Sequence, residues 1–146
     1  ETAKRIQSVD LVVVNGEGEQ QYSRVQHTMK IAASNLVALN DSVKGYVSSQ
    51  CVHAVAGIGN PERFFTSLAQ LGFEFEKHVF NDHHAYAEHE LLFGDQKPVV
   101  MTEKDAVKCL NFTALNYHWY LPVSAVLPAQ FWQHFDQKLQ PLLKKA

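Results

Sequence analysis

The sequence predicts an α/β fold, in which a layered sheet of the Rossmann type is flanked by helices. Short, almost continuously apolar runs recur along the chain, and such runs are typical of buried parallel strands. Several of them are followed by a turn and then by apolar residues at helical spacing, which is the order of a β-α-β crossover. With 146 residues, 46% of them hydrophobic, the chain is long enough to bury a core.

The first third of the chain predicts strands and loops. The apolar run at 9–14 indicates a buried, interior parallel strand, and the polar, glycine-containing stretch at 16–23 indicates an exposed loop. Residues 27–39 and 43–47 are rich in β-branched residues and favour two strands around the turn at Asn40-Asp41. A charged helical segment leads straight into the first strand, so we expect a piece of a longer protein.

A strand-turn-helix unit is the clearest local prediction. Residues 51–56 form a short apolar strand, and the turn GIGNP follows it. Asn60 fits the N-cap of the next helix, Pro61 fits its first turn, and Gly72 ends it. The predicted buried face of this helix consists of Phe64, Phe65, Leu68 and Leu71.

The remaining elements continue the same alternation. Residues 73–80 alternate like a strand, the loop 81–86 follows, and a short helix is predicted at 87–94. A further strand at 98–101 leads into a helix that begins after Thr102. The chain closes with a strand at 119–123 and a terminal helix at 128–143, whose predicted buried stripe is Phe131, Trp132, Phe135 and Leu139.

Composition excludes several classes of function. A formal net charge of −2 lacks the basicity of a nucleic-acid binder, so we expect no nucleic acid as a partner. The two cysteines, Cys51 and Cys109, form no CxxC pattern, which argues against a zinc site and against a disulfide framework and favours a reducing compartment. We expect no metal-binding residues in this chain. No run of about 18 apolar residues occurs, and we expect no membrane span in this chain.

The turn after the second predicted strand is a candidate anion site. Gly57, Gly59 and Asn60 lie between a strand and a helix N-terminus, where backbone N–H groups and the helix dipole favour a phosphate. Arg63, just inside the helix, favours anion contact. The dinucleotide fingerprint GxGxxG requires a third glycine where the chain has Glu62, which argues against a Rossmann cofactor site. A tight turn with a well-capped helix remains the alternative.

A cluster of titratable side chains follows the strand at 73–80. Asp82, His83, His84 and Tyr86 lie on one loop with His89 nearby, and loops at strand ends often carry the chemistry of α/β proteins. A histidine there can take or share a proton. A zinc site is the competing hypothesis and ranks lower, because adjacent histidines point in different directions and no cysteine is near. In the purely structural interpretation, His83 caps a buried backbone group and the other two histidines face water.

The segment TEKD opens the helix after the strand at 98–101. Lys104 is a candidate phosphate ligand, and Asp105 either orients it or caps the helix together with Thr102 and Glu103. Helix capping with solvated charges is the alternative interpretation.

Five segments occur in an order and spacing that resemble the C-terminal part of the tetraacyldisaccharide 4'-kinases: SVDLVVVNG, VAGIGNPERFF, FNDHHAY, PVVMTEKDAVKC and WYLPV. The resemblance covers nearly the whole chain. It implies an enzyme that uses ATP and Mg²⁺ to phosphorylate the 4' hydroxyl of the lipid A disaccharide monophosphate, at the cytoplasmic face of the bacterial inner membrane. The partners it implies are this lipid precursor, the membrane surface and an N-terminal kinase lobe.

The resemblance also implies how the chain is divided between the lobes of such a kinase. Residues 1–26 correspond to the end of the N-terminal lobe, 27–50 to a β-rich linker and 51–146 to the C-terminal lobe. In the family, the N-terminal lobe supplies the phosphate loop and the residues that handle Mg²⁺. The 146 residues contain no GxxxxGK[ST] segment, so we expect this chain alone to be inactive.

Site residues follow from the resemblance position by position. The family's DH pair falls on Asp82 and His83, and the histidine is expected to reach the catalytic acid of the other lobe and tune its proton affinity. Asn81 stands where the family often has proline. The GxGxP turn falls on 57–61 and the TEKD segment on 102–105, both near the nucleotide or the cleft between the lobes.

Two other functions remain as alternatives. A non-catalytic α/β module could use the same turn and histidine loop to bind an anion or nucleotide. A small nucleotide-dependent oxidoreductase is disfavoured by the missing third glycine.

Overall fold

The computed structural model describes residues 3–16, 26–41, 43, 47 and 51–143. The predicted loop at 16–23 and most of the predicted strand at 43–47 lie outside these residues. Two compact units divide the chain: Ala33–Val123 is one, and Glu1–Ala32 with Ser124–Ala146 is the other. The lobe boundaries predicted at residues 26 and 50 stay predictions.

The described elements alternate between strands and helices along most of the chain. A 3-10 helix, Ala3–Ser8, comes first, and a second one is Glu88–Leu91. The α-helices are α1 (Pro61–Gln70), α2 (Glu103–Cys109) and α3 (Ala129–Leu143). The strands are β1 (Val12–Asn15), β2 (Gln26–Ala33), β3 (Val37–Ala38), β4 (Cys51–Ala56), β5 (Glu74–Val79), β6 (Val99–Thr102), β7 (His118–Leu121) and β8 (Val123–Val126).

The unit Ala33–Val123 contains a five-stranded sheet with the order β3-β7-β6-β4-β5. The last four of these strands are parallel, and β3 joins β7 in antiparallel pairing. Strands β4 and β6 lie inside the sheet and are almost fully buried, because helices or loops cover both faces. The predicted α/β fold with a layered sheet is confirmed.

Each face of this sheet packs its own hydrophobic core. Successive side chains of a strand point to opposite faces, so alternate residues of β4 and β6 enter different cores. One core lies under α1 and contains Val52, Ala54, Ala56, Phe64, Phe65, Leu68, Val100, Trp119 and Leu121. The other lies under α2 and contains Leu39, Val55, Leu91, Val99, Met101, Ala106, Cys109 and Leu115.

Helix α1 begins and ends as the sequence predicts. Pro61 occupies its first turn, and Gly72 has φ +85°, a left-handed conformation that glycine adopts without strain. Asn60 occupies the N-cap position but makes no side-chain capping hydrogen bond. Leu71 is 45% exposed, so its predicted place on the buried face is wrong. The helix has already ended there, and the C-cap residue turns away from the sheet.

Two predicted strands are each divided between the sheets. The prediction at 27–39 becomes β2 and β3, because β2 pairs with β1 whereas β3 pairs with β7. The prediction at 119–123 becomes the end of β7 and the start of β8, separated by Pro122, which has no N–H to donate to a strand ladder.

The second unit has a three-stranded sheet with the order β1-β2-β8, in which β1 and β2 are parallel. Helix α3 contacts β2: the Phe131 ring lies edge-on to the His27 ring at 5.5 Å between centroids. Two predictions of burial are wrong here. Among the described strands, β1 lies at the edge of its sheet with Val13 41% exposed, and α3 has no buried residue, with Trp132 53% exposed. A sheet of three strands covers too little of either element.

No helix in the part of the chain that the structure describes is long and apolar enough to cross a membrane.

Candidate functional site

The carboxyl ends of β4, β5 and β6 meet at one edge of the five-stranded sheet. From β4 the chain runs through α1 to β5 on one side, whereas from β6 it runs through α2 to β7 on the other side. Neighbouring loops that leave in opposite directions open a crevice, which is the usual ligand position in such sheets. The predicted site segments at 57–60, 81–86 and 102–105 all lie at this edge.

Asp105 connects two of these segments. Its side chain is 0% exposed, and its Oδ2 accepts hydrogen bonds from the Gly57 N–H at 2.8 Å and the Thr102 hydroxyl at 2.7 Å. Its Oδ1 accepts a bond from Lys108 Nζ at 2.8 Å. Burial alone would raise the pKa of Asp105, but these donors outweigh it and the pKa is lowered. Asp105 is therefore an ionised structural carboxylate that connects the turn after β4 to α2.

Helix α2 is capped as the sequence predicts. Thr102 Oγ1 accepts a hydrogen bond from the Asp105 N–H at 3.1 Å, which confirms Thr102 as the N-cap. Glu103 is exposed in the first helical turn, where its charge complements the helix dipole.

Gly57 is required at its position by close packing. A Cβ atom there would lie 2.5 Å from the Tyr86 hydroxyl oxygen and 3.2 Å from Asp105 Oδ1. The Tyr86 hydroxyl is buried without a hydrogen-bond partner in the part of the chain described, and burial followed by the Asp105 charge raises its pKa. The Gly57 N–H already donates to Asp105, so this N–H is engaged within the protein.

Asp82 and Lys104 form the exposed part of the site. Lys104 Nζ lies 3.2 Å from Asp82 Oδ1, and both side chains are about half exposed, at 50% and 45%. The hydrogen bond from Lys104, with a smaller contribution from the His83 charge, lowers the pKa of Asp82. A Cβ atom on Gly59 would lie 3.4 Å from Asp82 Oδ2, so the turn after β4 adjoins this ion pair. The edge thus presents an ionised carboxylate beside a cation.

His83 has a backbone conformation that is uncommon for a residue other than glycine. Its φ is +62°, in the left-handed region that non-glycine residues seldom adopt. The side chain is 77% exposed, with Nε2 3.7 Å from Asp82 Oδ2. The Asp82 carboxylate also accepts a bond from the His83 N–H at 3.1 Å, which supports this turn. Local strain of this kind is concentrated at functional sites.

His84 points away from its neighbour, as the sequence analysis expected for adjacent histidines. Its Nε2 lies 3.1 Å from Glu90 Oε2, and its ring packs against Phe80 and Tyr86 with centroids 4.8 Å away in both cases. The purely structural interpretation is wrong for His83, which is exposed and caps no buried group among the described residues, and for His84, whose side chain is only 25% exposed. It is right for His89, which is exposed. Tertiary packing partly covers the His84 imidazole and leaves that of His83 exposed.

A second group of titratable side chains, which was not predicted from the sequence, lies on the neighbouring strands β4 and β5. His53, Glu76 and His78 place potential metal-ligating atoms within 4.8 Å of one another. Two features of the sequence could have pointed to this group: a histidine inside an apolar strand, and a Glu-x-His pair on the next strand. A polar residue at a buried position is informative because such positions are usually apolar.

Comparisons with known proteins agree with this architecture. A family model described as Tetraacyldisaccharide-1-P 4'-kinase matches residues 1–140. A tetraacyldisaccharide 4'-kinase from Nitrosococcus oceani is 43% identical over 99% of this chain and 42% of its own length. One from Halorhodospira halophila is 45% identical over 82% of this chain and 36% of its own length. The chain thus spans about two fifths of the length of these curated relatives.

A solved structure shares the fold. The crystal structure of the "apo" form of LpxK from Aquifex aeolicus, in complex with ATP, matches 99% of this chain and 45% of that one, with a TM-score of 0.63 and 22% sequence identity.

These observations define an α/β protein with a parallel sheet whose candidate site lies at the carboxyl edge of the strands. Within that class, the chain belongs to the tetraacyldisaccharide-1-P 4'-kinase family. The resemblance stated from the sequence is confirmed.

Proposed function

We propose that this chain is the C-terminal lobe of an ATP-dependent kinase that phosphorylates the 4' hydroxyl of tetraacyldisaccharide 1-phosphate, a lipid A precursor. Family membership and the names of the relatives support this reaction. The bound ATP of the Aquifex aeolicus structure supports ATP as the phosphate donor. In this proposal the N-terminal lobe supplies the phosphate loop, and the carboxyl edge described above faces the nucleotide.

The observation that carries the proposal is the exposed His83 imidazole beside Asp82. A kinase must remove the proton of the acceptor hydroxyl, and a histidine within reach of the catalytic acid can tune that acid's proton affinity. His83 has φ +62° and a side chain that is 77% exposed, and Asp82 Oδ2 lies beside the ring, 3.7 Å from Nε2. These two residues are our proposed catalytic pair.

Lys104 and the two segments around it form the proposed nucleotide edge. The Lys104 ammonium group is half exposed and suits a phosphate oxygen. Asp105 acts here as a positioning residue, because it is buried and fixes Gly57 to the start of α2. The remaining proposed contacts are Gly59, Asn60, Thr102 and Glu103.

The Asp82 and Asp105 carboxylates do not fit a resident Mg²⁺ site. Magnesium prefers carboxylate and water oxygens in octahedral geometry. Asp82 is paired with Lys104 and His83, and both Asp105 oxygens accept bonds from protein donors. We therefore assign the Mg²⁺ ligands of the reaction to the N-terminal lobe.

The substrate determines the proposed location. Tetraacyldisaccharide 1-phosphate carries acyl chains that remain in a bilayer, whereas ATP is cytoplasmic. The proposed enzyme therefore works at the membrane surface, on the cytoplasmic face of the bacterial inner membrane, through its N-terminal part. Nucleic acid is not a partner in this proposal.

Phosphate transfer from ATP to the lipid A disaccharide precursor tests the proposal. The experiment uses a full-length protein that contains this chain and compares wild type, His83→Ala and the matched control His84→Ala. We expect His83→Ala to lower kcat by about 10²–10⁴-fold with the melting temperature unchanged. His84→Ala should act mainly on stability, because its ring is packed against Phe80 and Tyr86.

Two outcomes contradict parts of the proposal. Equal losses of kcat in the two variants would remove His83 from its proposed role. No transfer by the wild type would leave the alternative, a non-catalytic module that binds anions or nucleotides, which ATP binding to the chain without turnover would support. The 146-residue chain alone should transfer no phosphate.

A further inference from the structure

A second cluster of titratable side chains lies on the face of the five-stranded sheet that packs under α2. The parallel register pairs His53 with Glu76 and Val55 with His78. Paired residues in neighbouring strands point to the same face, as do residues two apart in one strand. His53, Glu76 and His78 therefore converge although 22 or more residues of chain separate His53 from the other two.

The atoms of this cluster are spaced for a shared ligand. His53 Nδ1 lies 2.8 Å from His78 Nε2. Glu76 places Oε2 3.8 Å from His53 Nδ1 and Oε1 4.0 Å from His78 Nε2. Two imidazole nitrogens bound to one tetrahedral zinc ion lie roughly 3.4 Å apart, so ring movements of about half an ångström would admit the ion.

Asp95 fixes the orientation of His53. Asp95 Oδ1 lies 3.0 Å from His53 Nε2, the ring nitrogen that points away from the cluster. Lys97 holds the same carboxylate with Nζ 2.7 Å from Oδ2. When the Asp95 carboxylate accepts a hydrogen bond from the His53 Nε2–H, the proton stays on Nε2 and the Nδ1 lone pair is directed at the cluster. Carboxylates orient metal-binding histidines in this way.

The cluster of His53, Glu76 and His78 is shielded from solvent on one side and open to it on another. His53 is 4% exposed, and the Phe93 ring stacks on its imidazole and lies tilted against that of His78, with centroids 4.1 Å away in both cases. Glu76 lies on the edge strand β5 and its side chain is 60% exposed. An ion can therefore enter from solvent past Glu76 and be covered by Phe93.

We propose that His53 Nδ1, His78 Nε2 and the Glu76 carboxylate bind a divalent transition metal ion with the ligand preferences of Zn²⁺, with water in the fourth position. Imidazole with carboxylate suits Zn²⁺, whereas Mg²⁺ and Ca²⁺ prefer oxygen ligands alone. The three ligands differ from the residues assigned to the candidate catalytic edge: His53 lies three residues before the end of β4, about 10 Å along the strand, whereas His78 lies one residue before the end of β5. A bound ion would fasten the edge strand β5 to β4.

Calorimetric titration of the metal-free chain with Zn²⁺ tests this site, and visible absorption of bound Co²⁺ reports tetrahedral geometry. We expect one ion per chain. His78→Ala should abolish the one-to-one transition and the Co²⁺ absorption. The matched control is His89→Ala, which removes an exposed imidazole outside the cluster and should bind as the wild type does.

Two further variants separate the role of Glu76 as a metal ligand from that of Asp95, which orients His53. Glu76→Gln keeps the size of an exposed side chain and should weaken binding by removing one anionic ligand. Asp95 is not one of the proposed ligands. Asp95→Asn should still weaken Zn²⁺ affinity by about 10–100-fold, because the asparagine no longer fixes the His53 tautomer. Absence of Zn²⁺ binding by the wild type, or equal binding by wild type and His78→Ala, would overturn the proposal. Either result would leave a hydrogen-bonded histidine pair with no metal function.

Discussion

The carboxylate of Asp105 accepts a hydrogen bond of 2.8 Å from the backbone N–H of Gly57, across 48 residues of sequence. This bond joins the turn after β4 to the first turn of α2. The two segments that the sequence analysis assigned to an anion or nucleotide therefore form one structure, fixed by a buried charge. Their geometry depends on this carboxylate being present and ionised.

Removing that carboxylate should destabilise the fold. Asp105→Ala leaves the Gly57 N–H, the Thr102 hydroxyl and the Lys108 ammonium group without their acceptor. We expect a loss of about 3–5 kcal/mol in the free energy of unfolding, measured by urea denaturation. Glu103→Ala is the matched control, since this exposed carboxylate lies in the same helical turn, and its effect should stay within about 0.5 kcal/mol. Similar losses in both variants would contradict the structural role of Asp105.

Gly57 and Tyr86 should be energetically coupled. Gly57→Ala introduces a Cβ 2.5 Å from the Tyr86 hydroxyl oxygen, and we expect a loss of about 1–3 kcal/mol in the free energy of unfolding. Tyr86→Phe removes a buried hydroxyl that has no partner among the described residues, so it should be neutral or stabilising.

The double variant Gly57→Ala with Tyr86→Phe provides the control. It should recover about 0.5–3 kcal/mol relative to the sum of the single effects, because the clashing oxygen is gone. Strict additivity in this double-mutant cycle would show that the hydroxyl is not what excludes a side chain at Gly57.

The backbone strain at His83 predicts a separation of stability from activity. His83→Gly relieves the left-handed conformation at φ +62° and should be neutral or stabilising by up to about 1 kcal/mol. His83→Val should destabilise by about 1–2 kcal/mol, because a β-branched residue tolerates that region poorly. Thermal denaturation ranks the stabilities of the wild type and the two variants. Both variants lack the imidazole, so both should lose kinase turnover when they are made in the full-length protein that contains this chain. Retained turnover in His83→Gly would contradict the catalytic proposal.

Stability should depend on pH through His118. Burial lowers the pKa of His118 below its usual value near 6.5, with a smaller opposing effect from its bond to the Leu91 carbonyl. The unfolded chain therefore binds a proton more readily than the folded one in the range below about pH 6.5. The free energy of unfolding should rise with pH from about 5 to 7 by less than about 1.4 kcal/mol per pH unit from this group.

A matched variant isolates this contribution. His118→Gln keeps a donor for the Leu91 carbonyl, 2.9 Å from Nε2, but cannot titrate. Its unfolding free energy should vary less between pH 5 and 7 than that of the wild type. His78, whose pKa burial also lowers, contributes to the residual slope. Identical slopes in wild type and variant would exclude His118 as the source.

The pattern of apolar, glycine and proline residues along the chain was sufficient to predict much of the five-stranded sheet. The run at 51–56, the turn with Pro61, and Gly72 predicted β4 and α1 within a residue or so, because a buried strand and a capped helix are encoded by neighbouring residues. The terminal helix shows the limit of pattern. Its apolar spacing predicted α3 correctly, yet Trp132 is 53% exposed, because spacing defines a face and only the neighbouring elements decide whether that face is covered.

The sequence by itself determined the α/β fold, the capped helices, the family, and the presence of Asp82 and His83 on a loop at a strand end. Those features depend on residues close together in the chain or on motifs in fixed order. Tertiary structure alone decided that His83 is exposed while His84 is packed, that Asp105 binds Gly57, and that His53 meets Glu76 and His78. Each depends on strand register and sheet order, which join residues far apart in sequence at distances that local pattern does not specify.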